Sequence, residues 1–243
     1  MKKIEIELIT MKEINIALIG NPNVGKTVIF NNLTGAKQHV ANWPGVTVEK
    51  KTGSFTHKGV KINVVDLPGT YSLTSNSIDE KIARNYIIEE KPDVIIDIVD
   101  STILERNLYL TLLLLELEVP IIVALNMFDT VQQGGIEIDV KKLEKKLGVP
   151  VIPTVATKKI GMDELKDKII EVFDGNYPLK RNIFEFSPEI ENILKKIITT
   201  LNEYPELSKK YPIRWTAIKI LEDDQEVIKK IPPPIMKKIN EVI

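Results

Sequence analysis

One eight-residue run, Gly20-Asn21-Pro22-Asn23-Val24-Gly25-Lys26-Thr27, limits the fold of this chain more than any other feature. It has the spacing G-x-x-x-x-G-K-[ST], and its flanks fit: the apolar run Ile14 to Ile19 precedes it, and Val28-Ile29-Phe30-Asn31-Asn32-Leu33 follows. A buried strand therefore turns through a glycine-bounded loop into a helix. In such a loop backbone N–H groups wrap phosphate oxygens, the lysine reaches the terminal ones and the hydroxyl of Thr27 binds Mg²⁺. A plain strand-to-helix turn without ligand is the competing reading, and the strand and helix in their required places weigh against it.

The rest of the chain carries the alternation that builds a parallel sheet covered by helices on both faces. Strands are expected at Val46 to Phe55, Val60 to Asp66, Val94 to Val99, Ile121 to Leu125 and Val151 to Val155, and helices at Ile78 to Glu90, Leu104 to Leu117, Val140 to Leu147 and Met162 to Phe173. The short connection His57-Lys58-Gly59 admits only an antiparallel pair, whereas Gly35 to Gly45 reads as a polar loop. The predicted class is α/β, a six-stranded, mostly parallel sheet. Asp174-Gly175-Asn176-Tyr177-Pro178 breaks the last helix, and beyond it the pattern is helical, starting at Ser187-Pro188 with Ile190, Ile193, Leu194, Ile197, Ile198 and Leu201 on one face. The division is thus residues 1–10 as an extension, 11–176 as the sheet domain and 177–243 as a small all-helical domain, too short to be stable without docking on the sheet domain.

Composition excludes several classes. With 33 Lys+Arg against 34 Asp+Glu, no general field draws the chain to nucleic acid, and no nucleic-acid partner is expected. The absence of cysteine removes disulfides and thiolate chemistry. The most apolar window, Leu112 to Leu125, is interrupted by Glu116, Glu118 and Pro120 and reads as a buried helix running into a strand, so this piece is expected to be soluble.

A magnesium-assisted phosphoryl site also needs an acid at a strand end to hold the metal's water shell and a backbone N–H near the terminal phosphate. Asp66-Leu67-Pro68-Gly69 offers both. To read a base, a carboxylate can accept from guanine N1–H and N2–H₂ together, and Asn126-Met127-Phe128-Asp129 sets one directly after a strand; adenine has no such donor pair. The next strand ends in Val155-Ala156-Thr157, where a backbone N–H can meet guanine O6.

In order, GNPNVGKT, Gly45-Val46-Thr47-Val48, DLPG, NMFD and VAT resemble the five nucleotide motifs of the small GTPases related to translation factors. The Asn-Pro-Asn of the loop, Asn42-Trp43-Pro44-Gly45-Val46-Thr47-Val48-Glu49 and Asp66-Leu67-Pro68-Gly69-Thr70-Tyr71-Ser72-Leu73 are most similar to the N-terminal cytosolic portion of the prokaryotic ferrous iron transport protein B (FeoB) family, whose helical domain the tail matches in position and length. The resemblance implies a P-loop GTPase fold with Lys26 on the β/γ-phosphates, Thr27, Thr47 and Asp66 as the Mg²⁺ set and the Gly69 N–H sensing the γ-phosphate. Asn126 and Asp129 select guanine, with Met127 and Val155 departing from the usual lysine and serine. Thr70 stands where many GTPases have glutamine, which implies slow hydrolysis, and the family's substitute is a K⁺ ion bound through Asn23; on its own Asn23 is open to a second reading, as a turn residue. The implied cofactors are GTP/GDP, Mg²⁺ and K⁺, the implied partner is a membrane-transport region beyond residue 243, and the implied place of this chain is the cytoplasmic side of the cell membrane. A free-standing GTPase of ribosome or tRNA maturation and a binding-only switch share the motifs, and a homodimer or homotrimer is left open.

Overall fold

The structure is a computed structural model that describes residues 12–35, 37–74, 76–178, 185–241 and 243. The extension over residues 1–10 lies outside the described residues.

β1 (Glu13–Gly20) is the middle of the sheet. Its residues on both faces, Ile14, Ile16 and Leu18 on one and Ala17 and Ile19 on the other, are fully buried, as a strand covered on both sides requires. α1 (Lys26–Thr34) leads to β2 (Gln38–Asn42), β3 (Glu49–His57) and β4 (Val60–Asp66), then α2 (Ile78–Glu90) and β5 (Val94–Asp100). α3 (Leu104–Glu116), β6 (Ile121–Asn126), α4 (Phe128–Gln133), α5 (Val140–Leu147), β7 (Val151–Pro153) and α6 (Met162–Phe173) complete the sheet domain. The strand order is β2-β3-β4-β1-β5-β6-β7, with β3 antiparallel to both neighbours and the other pairings parallel.

The sheet thus has seven strands where six were expected. The extra one, β2, comes from the stretch read as a polar loop, and all five of its residues are exposed. A strand held at the sheet edge by backbone bonds to β3, and by the Gln38 amide donating to Asn31, Thr34 and Gly35, leaves no apolar alternation to read. Two boundaries also move. β3 starts at Glu49 instead of Val46 because residues 43–48 close a turn, with Trp43 N donating to Val48 O at 2.9 Å and Val46 N to Trp43 O at 3.2 Å. β7 ends at Pro153 because Val155 bridges to Ile160.

α1 and α6 cover one face, burying Ile29, Phe30 and Leu33 with Met162, Leu165 and Ile169. On the other face α2 and α3 contribute Ala83, Ile87, Leu110 and Leu114 to a core that continues without break into the helical tail. That tail comprises α7 (Pro188–Asn202), α8 (Pro205–Lys210), α9 (Ile213–Leu221), α10 (Gln225–Ile228) and α11 (Pro233–Asn240), and its Leu194, Ile197, Trp215 and Ile218 belong to the same core. α2 opens with a reciprocal cap between Ser77 and Glu80. It is joined to the tail by Arg84, whose Nη1 donates to Asp224 Oδ2 at 2.7 Å, both side chains being buried.

Candidate nucleotide-binding site

The loop Gly20 to Thr27 leaves the C-terminal end of β1, where open α/β sheets place their ligands. Two of its residues take left-handed backbone angles, Asn23 at φ 69° and Gly25 at φ 89°. At Gly25 the requirement is also steric: a Cβ there would lie 2.4 Å from Asn126 Nδ2. α1 then begins at Lys26 with its free N–H groups toward the loop, the arrangement that binds anions. Asn21 is buried, and neither polar atom of its side-chain amide has a hydrogen-bond partner. An orphaned amide in the loop, the left-handed turn and a lysine beside an acid are the features a bound phosphate and its cation would use.

Lys26 Nζ donates to Asp66 Oδ1 at 2.5 Å at the end of β4. Burial pushes the Asp66 carboxyl above its ordinary range and the Lys26 ammonium pulls it part of the way back. Both groups would have to exchange this partner for phosphate and metal. Next to Asp66, Leu67 is fully buried, Pro68 and Gly69 are half-buried, and the turn is fastened to the loop: Thr70 N donates to Gly20 O at 3.1 Å, and a Cβ on Gly69 would stand 3.4 Å from Pro22 Cα. Thr27, Val28, Gly45 and Thr47 are exposed and Val46 is half-buried. The pairing of Lys51 with Asp66 carries the start of β3, and with it the turn that bears Thr47, toward the same sheet end.

On the base side the two recognition residues differ. Asn126 is buried; its amide donates to Val24 O at 2.8 Å, and its carbonyl accepts from Ala156 N at 3.0 Å and Thr154 Oγ1 at 3.3 Å. It binds the phosphate loop to the segment after β7. Of the Val155-Ala156-Thr157 segment, expected to offer a backbone N–H to a base oxygen, the Ala156 N–H is in this arrangement spent on Asn126. Asp129, in the first turn of α4 behind the left-handed Met127 (φ 58°), is partly open, with Oδ2 2.6 Å from Lys158 Nζ. Val155 and Ala156 are buried and Thr157 is exposed. Sequence reasoning missed Asn32, Ser101 and Thr154, whose side chains support this side: Asn32 Nδ2 donates to Ala156 O at 2.7 Å and Ser101 Oγ to Asn126 O at 2.7 Å. Their partners are far away in sequence, so no local signal marks them. Lys158 was visible as a cation beside Val155-Ala156-Thr157 and was passed over.

The family model for ferrous iron transport protein B matches residues 14–169, and that for the FeoB cytosolic helical domain matches residues 186–243. The Fe(2+) transporter FeoB of Methanocaldococcus jannaschii is 52% identical over 242 residues, 96% of this chain and 35% of the relative. That of Escherichia coli K12 is 44% identical over 225 residues, 88% of this chain and 27% of the relative. The chain therefore spans between about a quarter and a third of the length of these relatives. Among solved structures, the cytosolic domain of T. maritima FeoB in a GDP form aligns with TM-score 0.85 and 41% identity, covering 95% of this chain and 94% of that one. Its GMPPNP form aligns with TM-score 0.84 and 41% identity, covering 94% and 96%. A single-residue mutant of S. thermophilus NFeoB bound to mGDP aligns with TM-score 0.84 and 39% identity, covering 96% and 88%. With its phosphate loop, strand-end acid and base motif set on this sheet and followed by this helical tail, the chain belongs to the ferrous iron transport protein B family.

Proposed function

We propose that the chain is the GTP-binding and GTP-hydrolysing module of a ferrous iron transporter, changing conformation with the γ-phosphate and so regulating Fe(II) passage through a membrane region outside this sequence. The observation that carries the reading is the convergence at one sheet end of Lys26, Asp66, the Gly20 to Thr27 loop and the Asn126 to Asp129 motif. Solved relatives with GDP and GMPPNP support a guanine nucleotide as the ligand.

Thr27, Thr47 and Asp66 are the residues suited to hold Mg²⁺, and Asn23 offers an amide oxygen to K⁺; such cations balance charge that develops between the phosphates during transfer. Lys26 holds the terminal phosphates, the Gly69 N–H follows the γ-phosphate and Asp129 reads the base. Thr70 cannot orient the attacking water as it stands: it is buried, its N–H goes to Gly20 and its hydroxyl donates to Ser72 O at 2.7 Å. Hydrolysis is accordingly slow. The same commitment of Thr70 favours the second reading, a nucleotide switch without appreciable turnover.

Single-turnover hydrolysis in K⁺ against Na⁺, with binding of a fluorescent GTP analogue measured in parallel, separates the two. The GTPase reading expects GTP and not ATP to displace the analogue, and a rate at least about tenfold higher in K⁺ that Asn23→Ala abolishes while binding survives. Equal displacement by ATP would sink the guanine assignment, and equal rates in the two salts the role of Asn23.

A further inference from the structure

The carboxylate assigned to guanine already has partners. Asp129 Oδ1 accepts from Thr130 N at 3.0 Å, and Oδ2 from Lys158 Nζ at 2.6 Å; that ammonium holds the Asp129 carboxyl below the usual carboxylate range. The lysine starts from a fixed point. It ends the 3₁₀ turn Ala156–Lys158, in a loop closed on itself by Val155 N to Ile160 O at 3.1 Å and Ile160 N to Val155 O at 3.2 Å. Ala156 anchors the loop twice, its N–H to Asn126 Oδ1 and its carbonyl to Asn32 Nδ2. Gly161 then turns so close beneath Pro153 that a Cβ would meet its carbonyl oxygen at 2.3 Å, at φ 78°. Only the side chain of Lys158, more than half exposed, has freedom to leave Asp129.

The Watson–Crick edge of guanine brings two N–H donors to a carboxylate, and an ammonium seeks the same oxygens. We propose that Lys158 competes with the guanine base for Asp129, and thereby shortens the time a guanine nucleotide stays bound. The lysine settles on Asp129 when the base leaves and is displaced when a base arrives, so the empty site is stabilised and release is hastened. This rests on the reading of Asp129 as the base-selecting residue. A lysine that instead laid its stem over the base, donated to O6 or merely steadied the carboxylate would act with the opposite sign.

The test is the dissociation constant and release rate of a fluorescent GDP analogue, at fixed ionic strength, for the whole chain and for Lys158→Met and Lys158→Arg. Methionine keeps the stem without the charge. Competition expects Lys158→Met to bind about three- to fivefold tighter through slower release, and Lys158→Arg to bind as the parent does, the scale of an exposed ion pair. Weaker or unchanged binding by Lys158→Met overturns the proposal. A second arm uses Asp129→Asn, whose carboxamide can donate to the C2 carbonyl of xanthine, so preference should move from GDP to XDP. In that background Lys158→Met should leave XDP binding unchanged, because no carboxylate is left to contest. If it tightens XDP binding to the same degree, the lysine acts elsewhere and the proposal fails. Should Asp129→Asn retain its preference for GDP, the base-reading role of Asp129 falls first and the competition with it, whatever Lys158 does.

Discussion

Asn126 is buried with its amide and carbonyl both engaged, while Asp129, three residues on, meets only a surface lysine and its own helix backbone. Asn126→Ala leaves Val24 O, Ala156 N and the Thr154 hydroxyl without that partner and should cost about 2 to 3 kcal/mol of stability in urea unfolding without nucleotide. Asp129→Ala should leave that midpoint nearly unchanged yet weaken GTP binding at least about thirtyfold. Comparable unfolding midpoints for the two variants would show that Asn126 is not the tie described. The motif itself was legible because its spacing after a strand is local. The division of labour inside it was not, since it depends on Val24, Thr154 and Ala156 arriving from other parts of the chain. Asp97, by contrast, is marked by no motif. It is fully buried on β5 with the Thr111 hydroxyl donating to it at 2.5 Å, and burial pushes its carboxyl up to about 7 against that hydrogen bond. A raised acid is held protonated more tightly by the folded chain than by the unfolded one. Its contribution is complete below about pH 4 and is lost as pH rises through about 7. Relative to Asp97→Asn, the parent should therefore lose stability between about pH 4 and pH 7; parallel pH curves would exclude a titrating Asp97.

At the scale of elements, α2 is held both at its start and along its flank. Ser77 and Glu80 cap its start, and Arg84 on its buried side reaches Asp224, which also caps α10 through Glu226 N at 3.0 Å and Val227 N at 3.3 Å. Removing one member of a buried ion pair strands the other charge. Arg84→Met should lower stability by about 3 kcal/mol, and an isothermal denaturation that places it within about 0.5 kcal/mol of the parent would mean the pair is not load-sharing between α2 and the tail. The helices α2, α3, α5 and α6 were legible with bounds within a residue or so of those observed, because each shows an apolar face at helical period. β2 and the short α4 were not: one is exposed at every position, the other is only six residues long.

For the molecule as a whole, the core that runs from Ile87, Leu110 and Leu114 into Leu194, Trp215 and Ile218 makes the sheet domain and the tail one cooperating body. The tail's need to dock could be read from its length and single apolar face, whereas the surface it docks on could not: the leucine run Leu112 to Leu115 marks α3 as buried without saying by what, and α2 shows one apolar face only. Heating should produce one transition, followed alike by far-ultraviolet and near-ultraviolet circular dichroism. A tail that melted separately, well below the sheet domain, would contradict the shared core.

Trp43 sits in the turn that bears Thr47, buried edge-on against Tyr86 of α2 with ring centroids 5.5 Å apart, and the Lys50 ammonium lies over it 4.6 Å from the centroid. The chain has one other tryptophan, Trp215, which lines a small cavity with Arg84, Asn85 and Ile88 of the same helix. The two indoles thus look at α2 from the loop side and from the tail side. Replacing either by phenylalanine leaves a single tryptophan, so any movement of the loop and any movement of the tail can be timed separately by selective tryptophan excitation, with no label attached, after one nucleotide is mixed in.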